Sequence, residues 1–315
     1  MKQAPADQRR VALAILLGVL GAVFFSATFL INRTMAETGG HWVWSASLRF
    51  FHTALLLTAW LALRRQLAPF LRFFRATWPV WLRWGTIGFG GFYTLLCVAA
   101  ELSPAWLVAG TFQVTLVAGL LLAPFIYWDE RRVLNRRALR LASLVVLGAV
   151  LMQVENVTSG IDGAALVGFV LVLVSCTLYP LGNRRILLFL EDRPQRFSAL
   201  QVIYGMTLGS LPWWLLLAAA GLAAGIGPPG AGQVAGTLAI ALLAGIVAMG
   251  LFYAAMALAG ANGTLIGAVE ATQSVELLAT LLLEILLLGA ALPGPAGWIG
   301  SALVIAGIAL YARLR

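Results

Sequence analysis

Apolar runs of about 20 residues recur along the whole chain, and no stretch between them is long enough for a soluble domain. Such a run crosses the hydrocarbon core of a bilayer as an α-helix. The composition agrees, because 61% of the residues are hydrophobic and 10% are charged, against about a quarter charged in soluble domains. We therefore predict an all-α integral membrane protein with ten transmembrane helices, numbered spans 1 to 10, at roughly 11–31, 43–63, 79–99, 104–127, 139–155, 164–188, 199–222, 235–259, 263–289 and 295–313.

The basic residues indicate the orientation of these spans. Of the 21 Lys and Arg residues, 18 lie before span 1, in the segments that follow spans 2, 4 and 6 or in the adjoining helix ends, or at the end of the chain. Cytoplasmic loops carry such an excess, so both termini are predicted to be cytoplasmic and the protein to lie in the cytoplasmic (inner) membrane. This placement explains the net charge of +9 without a nucleic-acid partner. The expected partners are the lipid bilayer and a small-molecule substrate, and the expected state is a monomer, with a dimer as the alternative.

The two halves of the chain echo each other. An offset of 160 residues places "GGFY" (90–93) over "GLFY" (250–253) and Gln113 over Gln273. At an offset of 159, "LVVLGAVLM" from Leu144 matches "LVIAGIALY" from Leu303. Residues 1–158 and 159–315 are therefore predicted to be two five-helix repeats that form a single transport domain. Because five is odd, the second repeat would cross the membrane in the opposite sense, with a binding site near the midplane.

With these features the chain resembles the ten-helix, EamA-like branch of the drug/metabolite transporter superfamily, and within it the multidrug-resistance efflux transporters. The resemblance lies in "FFSATFLINR" at the end of span 1, in "LRF" (48–50) of span 2, and in the five-plus-five organisation. It implies a transporter fold and an exported substrate. Span 1 contains no acid, although the four-helix small multidrug transporters carry their essential glutamate there, so an acid-driven mechanism must use other positions.

Span 9 carries three glutamates, Glu270, Glu276 and Glu284. With Gln273 they fall within an arc of about 120° on a helix, which should face the bundle interior. A charged side chain at the membrane centre costs about 2.5 to 3.5 kcal/mol, so interior acids must be protonated, paired or wetted. We expect Glu270 or Glu276 to bind a cationic substrate or a proton, one excluding the other. The alternative is a purely structural hydrogen bond, or a pair with Arg49; Glu284 is expected close to the external surface, where it would simply reach the interface.

Other polar residues form a second set of candidates. Gln113 and Gln273 are expected near the midplane, where they could contact substrate or bridge helices. Tyr93 and Tyr253 occupy equivalent places in spans 3 and 8, where an aromatic face could stack on an organic cation or simply pack.

Five further residues are expected to have supporting or structural roles. Arg49 in span 2 is interpreted as a structural lock on the fold or as the counter-ion of Glu101 at the outer end of span 3. His52 lies on nearly the same face and is either a proton relay or a satisfied interior histidine. Pro180 breaks span 6 and could give it a bending point. Asn32 follows span 1, and Asn183 follows the break at Pro180 in the corresponding place.

These features favour a secondary transporter that exports small organic molecules, cationic or amphipathic, in exchange for protons. The alternative on the same fold is an exporter or facilitator of an amino acid or related metabolite. An enzyme would need a catalytic or metal-ligand constellation, and two histidines and two scattered cysteines do not provide that spacing. A scaffold or receptor would need large soluble loops. No metal and no cofactor are expected, with the proton as coupling ion.

Overall fold

A computed structural model describes residues 5–134, 136–158, 163–260 and 262–313 of the chain. The described residues are helical and contain no strand. Within these ranges, ten helices are long and apolar enough to cross a membrane, which agrees with the predicted number. Spans 1 to 10 are Gln8–Glu37, Trp42–Leu63, Trp78–Leu102, Ala105–Ile126, Arg136–Val154, Gly163–Glu191, Ala199–Ala223, Ala231–Ala259, Leu265–Leu288 and Pro295–Ala312.

Two parts of the structure differ from the prediction. Span 1 continues six residues beyond its predicted end at Ile31, so Arg33 lies in the helix and not in a loop. Its Nε atom pairs with Oε1 of Glu37 at 2.7 Å, one turn further on, which supports the polar end of this helix. A short helix that was not predicted, Leu67–Ala76, follows span 2. Its Phe70 is fully buried against aromatic side chains of three neighbouring segments.

Four of the spans are interrupted near their middle. Span 3 contains the π-helical segment Thr86–Gly91, and span 8 contains the π-helical segment Leu243–Ala248. Span 4 consists of Ala105–Phe112 and Thr115–Ile126, and span 9 of Gly263–Ala271 and Ser274–Leu288. Gln113 lies at the first break and Gln273 at the second. π-Helical segments and broken membrane helices are typical of functional sites, because they leave backbone groups and side chains turned towards a cavity.

The first five spans pack mainly on the last five. The most extensive contacts join span 1 to span 8, span 3 to span 6, and span 5 to span 10. Glycines permit the closest approaches: a Cβ atom on Gly148 would lie 2.5 Å from the carbonyl oxygen of Gly300. Such small residues let membrane helices approach backbone to backbone. The predicted boundary between the two repeats, at residues 158 and 159, touches residues outside the described ranges.

The loop between spans 4 and 5 is tied to the end of span 6. Arg131 donates hydrogen bonds to Asp129 and to both carboxylate oxygens of Glu191, the latter at 2.8 and 3.0 Å. The Arg131 guanidinium beside Asp129 lowers the pKa of that carboxyl group. Because these groups are exposed, the bridge orders the loop without adding much stability.

Candidate central cavity

A cavity of about 450 Å³ lies in the middle of the bundle. Residues of spans 1 to 4 and 6 to 10 line it. Its lining extends to Tyr311 and Ala312 at the end of span 10, and to Val202 near the start of span 7. These positions belong to the end of the bundle where the described chain begins and ends, so the cavity reaches towards that end. The volume falls within the range of about 300 to 1,000 Å³ that small-molecule sites occupy.

Both interior acids of span 9 line this cavity. Glu270 lies in the last turn of the first segment of span 9, and Glu276 lies in the first turn of the second. Gln273, between them at the break, also lines the cavity. A helix N-terminus attracts negative charge through its free N–H groups, so the start of the second segment is a favourable place for the Glu276 carboxyl group. The break therefore positions two acids and an amide on one cavity wall.

Span 4 faces span 9 across the cavity. Gln113, at the break of span 4, lines the cavity and its side chain interacts with Glu276. The Sγ atom of Cys176 contacts the carbonyl oxygens of Thr111 and Phe112 at 3.6 and 3.5 Å, which occupies carbonyl groups next to this break. The two interrupted helices thus meet through a glutamine and a carboxyl group.

The two predicted tyrosines have different positions. Tyr253 lines the cavity and is 40% exposed, whereas Tyr93 is fully buried behind the wall. The Tyr93 hydroxyl accepts a hydrogen bond from Nδ2 of Asn32 at 2.8 Å. The Cζ atom of Arg49 lies 4.0 Å from the centroid of the Tyr93 ring, and Arg49 itself lines the cavity. Tyr93 and Asn32 therefore support Arg49 from behind, and Arg49 lies between Tyr93 and the cavity.

The remaining predicted residues lie at or around the site. Pro180 lines the cavity in the middle of span 6, next to Tyr179, which the sequence interpretation did not include. Nδ1 of His52 lies 3.3 Å from Oγ1 of Thr237, which joins span 2 to span 8 away from the cavity lining. Oε1 of Glu101 accepts a hydrogen bond from the backbone N–H of Trp42 at 2.7 Å.

Arg184 is a second guanidinium in the lining that the sequence interpretation did not include. It donates a hydrogen bond to the carbonyl oxygen of Gly119 in span 4. The signal for this residue was present in the sequence, because "NR" at 183–184 in span 6 repeats "NR" at 32–33 in span 1.

The end of the bundle opposite the described termini is closed by polar contacts between spans. Glu284 is 3% exposed, and its two carboxylate oxygens accept hydrogen bonds from the backbone N–H groups of Ala105 and Trp106, each at 2.8 Å. The expectation that Glu284 simply reaches the membrane interface is wrong, because it is buried at the N-terminus of span 4. Nε2 of Gln233 donates to the carbonyl oxygen of His41 at 2.7 Å, which links spans 8 and 2.

In the described part of the chain, ten apolar helices surround a central cavity, the arrangement of a multi-pass membrane protein of the transporter class. The chain belongs to the EmrE family, described as "Putative multidrug resistance efflux transporter", whose profile matches residues 12–315. This family lies in the drug/metabolite transporter superfamily, and its members are transporters, not enzymes. Among the described residues, no group of three or more His, Cys, Asp or Glu side chains could hold a metal ion.

Two relatives and one solved structure illustrate the similarity. The chain is 39% identical to the protein YjlA of Bacillus subtilis over 308 residues, which cover 95% of this chain and 94% of YjlA. It is 37% identical to a 42.1 kDa protein of Shouchella clausii over 257 residues, which cover 76% of this chain and 64% of that protein. A crystal structure with 17% identity superposes with a TM-score of 0.62 over 94% of this chain and 95% of that chain, which shows the same fold.

Proposed function

We propose that the protein is a secondary active transporter that exports small organic molecules with a cationic or amphipathic character in exchange for protons. The observation that carries this proposal is the presence of Glu270 and Glu276 on one wall of the 450 Å³ cavity. Interior acids in membrane helices characteristically mark substrate and proton pathways. A carboxyl group that binds either a proton or a cation, one at a time, couples the entry of one to the exit of the other.

Alternating access would follow from two inverted five-helix repeats. Three observations support this arrangement: spans 4 and 9 break at Gln113 and Gln273, spans 3 and 8 both contain a π-helical segment, and these positions correspond in the sequence echoes. Inverted repeats of this kind place broken helices at a central site and exchange its access by rocking one half against the other.

We place the protein in the cytoplasmic membrane with both termini in the cytoplasm, because 18 of the 21 Lys and Arg residues belong to the loops, termini and helix ends on that side. In this orientation the cavity reaches towards the cytoplasm, and the contacts of Glu284 lie at the external side. The state described is then the one that loads a cytoplasmic substrate. The protein acts as a monomer in the bilayer, with the proton as its coupling ion and without a cofactor.

The test is proton release from the purified protein in weakly buffered detergent after addition of a panel of lipophilic cations and amino acids. The variants are Glu270→Gln and Glu276→Gln, with Glu191→Gln as a matched control because that acid lies at the exposed end of span 6. We expect release from the wild type and the control, and its loss in at least one of the cavity variants. Ligand binding by calorimetry without any proton release would contradict proton exchange.

A second substrate class is an amino acid or a related metabolite, with a glutamate recognising its ammonium group. One specific observation favours it: the guanidinium groups of Arg49 and Arg184 lie in the same cavity lining as the two acids. These two groups would attract an anionic group on the ligand, as an amino acid carries.

A further inference from the structure

Arg49 is held rigidly at the edge of the cavity. Its Cζ atom lies 4.0 Å from the centroid of the Tyr93 ring and 5.4 Å from the centroid of the Phe50 ring. Tyr93 is fixed in turn by Asn32, and Phe50 stacks on Trp214 with ring centroids 4.6 Å apart. The guanidinium group therefore lies against two buried aromatic rings, and Arg49 also lines the cavity.

Part of this guanidinium group is not satisfied by the protein. Its Nη1 atom is buried and has no hydrogen-bond partner among the residues that the structure describes. The ion pairs found in that part of the chain join Arg33 to Glu37 and Arg131 to Asp129 and Glu191, so they do not involve Arg49. A buried donor without a partner costs about 1 to 3 kcal/mol, and more when it is charged. Guanidinium groups are best compensated by a carboxylate, which accepts two parallel hydrogen bonds.

The opposite charge lies across the same part of the cavity. Tyr179 interacts electrostatically with Arg49, Glu276 and Tyr253, and all four residues line the cavity. Glu101 accepts a hydrogen bond from the backbone of Trp42, and Glu276 interacts with Gln113. Arg49 and Glu276 are more than 4.0 Å apart at every pair of charged atoms, since they form no ion pair among the described residues. A positive and a negative group therefore face one cavity without neutralising each other.

Most of the remaining lining residues are apolar, and many are aromatic: spans 1, 2, 3, 4 and 8 contribute Phe25, Phe29, Phe50, Phe89, Phe92, Phe112 and Phe252. Such walls suit the apolar part of a ligand, and the polar groups set the orientation of that ligand.

We propose that Arg49 is an anion-binding residue of the cavity and that the transported molecule is a zwitterion with an apolar body. Arg49 binds its carboxylate, and Glu276 binds its protonated amine. This inference rests on the proposed transport function and specifies its substrate class. A zwitterion satisfies both charged groups at once, whereas a simple amine leaves the Arg49 guanidinium unpaired and repelled. Arg49 is then a determinant of specificity and not only a structural lock.

The test uses two sets of matched probes. One set is L-phenylalanine, 2-phenylethylamine and 3-phenylpropionate; the other is L-leucine, 3-methylbutylamine and 4-methylpentanoate. The three probes of a set share the same hydrocarbon group and differ only in whether they carry the amine, the carboxylate or both. Binding to the detergent-purified protein is measured by titration calorimetry for the wild type, Arg49→Gln, Arg49→Lys and Arg83→Gln. The last is the matched control, because Arg83 packs over the Trp84 ring and does not line the cavity.

In the wild type and in Arg83→Gln, we expect at least one zwitterion to bind tenfold or more tightly than its amine and its acid. Arg49→Gln should reduce affinity for the zwitterion at least tenfold, about 1.4 kcal/mol, and leave affinity for the amine unchanged or raised. Arg49→Lys keeps the charge but loses the paired hydrogen bonds, so it should give a smaller loss for the zwitterion alone. Size-exclusion chromatography and thermal unfolding establish that each variant is folded.

Two results would overturn the proposal. One is a wild-type protein that binds no zwitterion of either set, or binds amine and zwitterion equally well. The other is an equal loss of affinity for all probes in the Arg49 variants, which a purely structural role would produce. Proton release by the amines in these cases would leave the proposed proton exchange standing. Conversely, zwitterion binding that depends on Arg49 without any proton release would contradict exchange and support the anion-binding role.

Discussion

Substitution of Glu284 by glutamine tests whether this residue keeps one end of the bundle closed. The carboxylate accepts two hydrogen bonds of 2.8 Å from adjacent backbone N–H groups of span 4, Ala105 and Trp106. Glutamine retains one accepting oxygen but turns an amide NH₂ group towards the other N–H, so two donors face each other. Hydrogen bonds to charged groups contribute about 1.5 to 3 kcal/mol, and an unsatisfied buried donor costs a similar amount.

We therefore expect Glu284→Gln to destabilise the closed end by about 2 to 4 kcal/mol. Because 1.4 kcal/mol corresponds to about a factor of ten, this end should open between about 30-fold and several hundred-fold more often. Hydrogen–deuterium exchange of the segment 103–112 measures this opening directly, since amide protection falls in proportion to the population of the open form.

Glu37→Gln is the matched control for this experiment. Glu37 lies at the same end of the bundle but is exposed and pairs with Arg33 on the surface, where such a pair contributes about 0 to 1 kcal/mol. Its exchange pattern in 103–112 should match that of the wild type. If Glu284→Gln also leaves this segment as protected as in the control, Glu284 does not hold the closed end.

Three further predictions concern packing and the spans around the cavity. Gly148→Ala should destabilise the protein by about 1 to 3 kcal/mol, because its Cβ would lie 2.5 Å from the Gly300 carbonyl oxygen. Thermal unfolding in detergent measures this loss, and Gly232→Ala, which meets nothing within 4 Å, should change little. Pro180→Ala should restore a backbone N–H to span 6 and slow flux into proteoliposomes while ligand affinity stays within about twofold; unchanged flux would argue against a bending point. His52→Gln should retain proton-coupled flux, because the ring contacts Thr237 and does not line the cavity, and loss of coupling with intact binding would instead support a proton relay.

Much of the architecture could be predicted from local properties of the sequence. The number of spans follows from hydropathy, because crossing a bilayer depends on the length and polarity of one segment alone. The position of Glu270 and Glu276 on an interior face also follows, since helical periodicity places them together and lipid excludes acids from the opposite face. The amphipathic helix Leu67–Ala76 was missed because it is too short for a span and its Phe70 is buried only by residues distant in the sequence.

The environment of each candidate residue depended on tertiary structure. Glu284 lies 178 and 179 residues away from the backbone groups that it binds, and no local pattern identifies such a partner. Tyr93 and Tyr253 correspond in the sequence, yet one is buried behind Arg49 and the other faces the cavity. The sequence by itself determined that the chain crosses the membrane ten times and carries interior acids, because each property belongs to one helix and its contact with lipid. Only the tertiary structure decided which charges share a cavity, because this depends on how separate helices pack against each other.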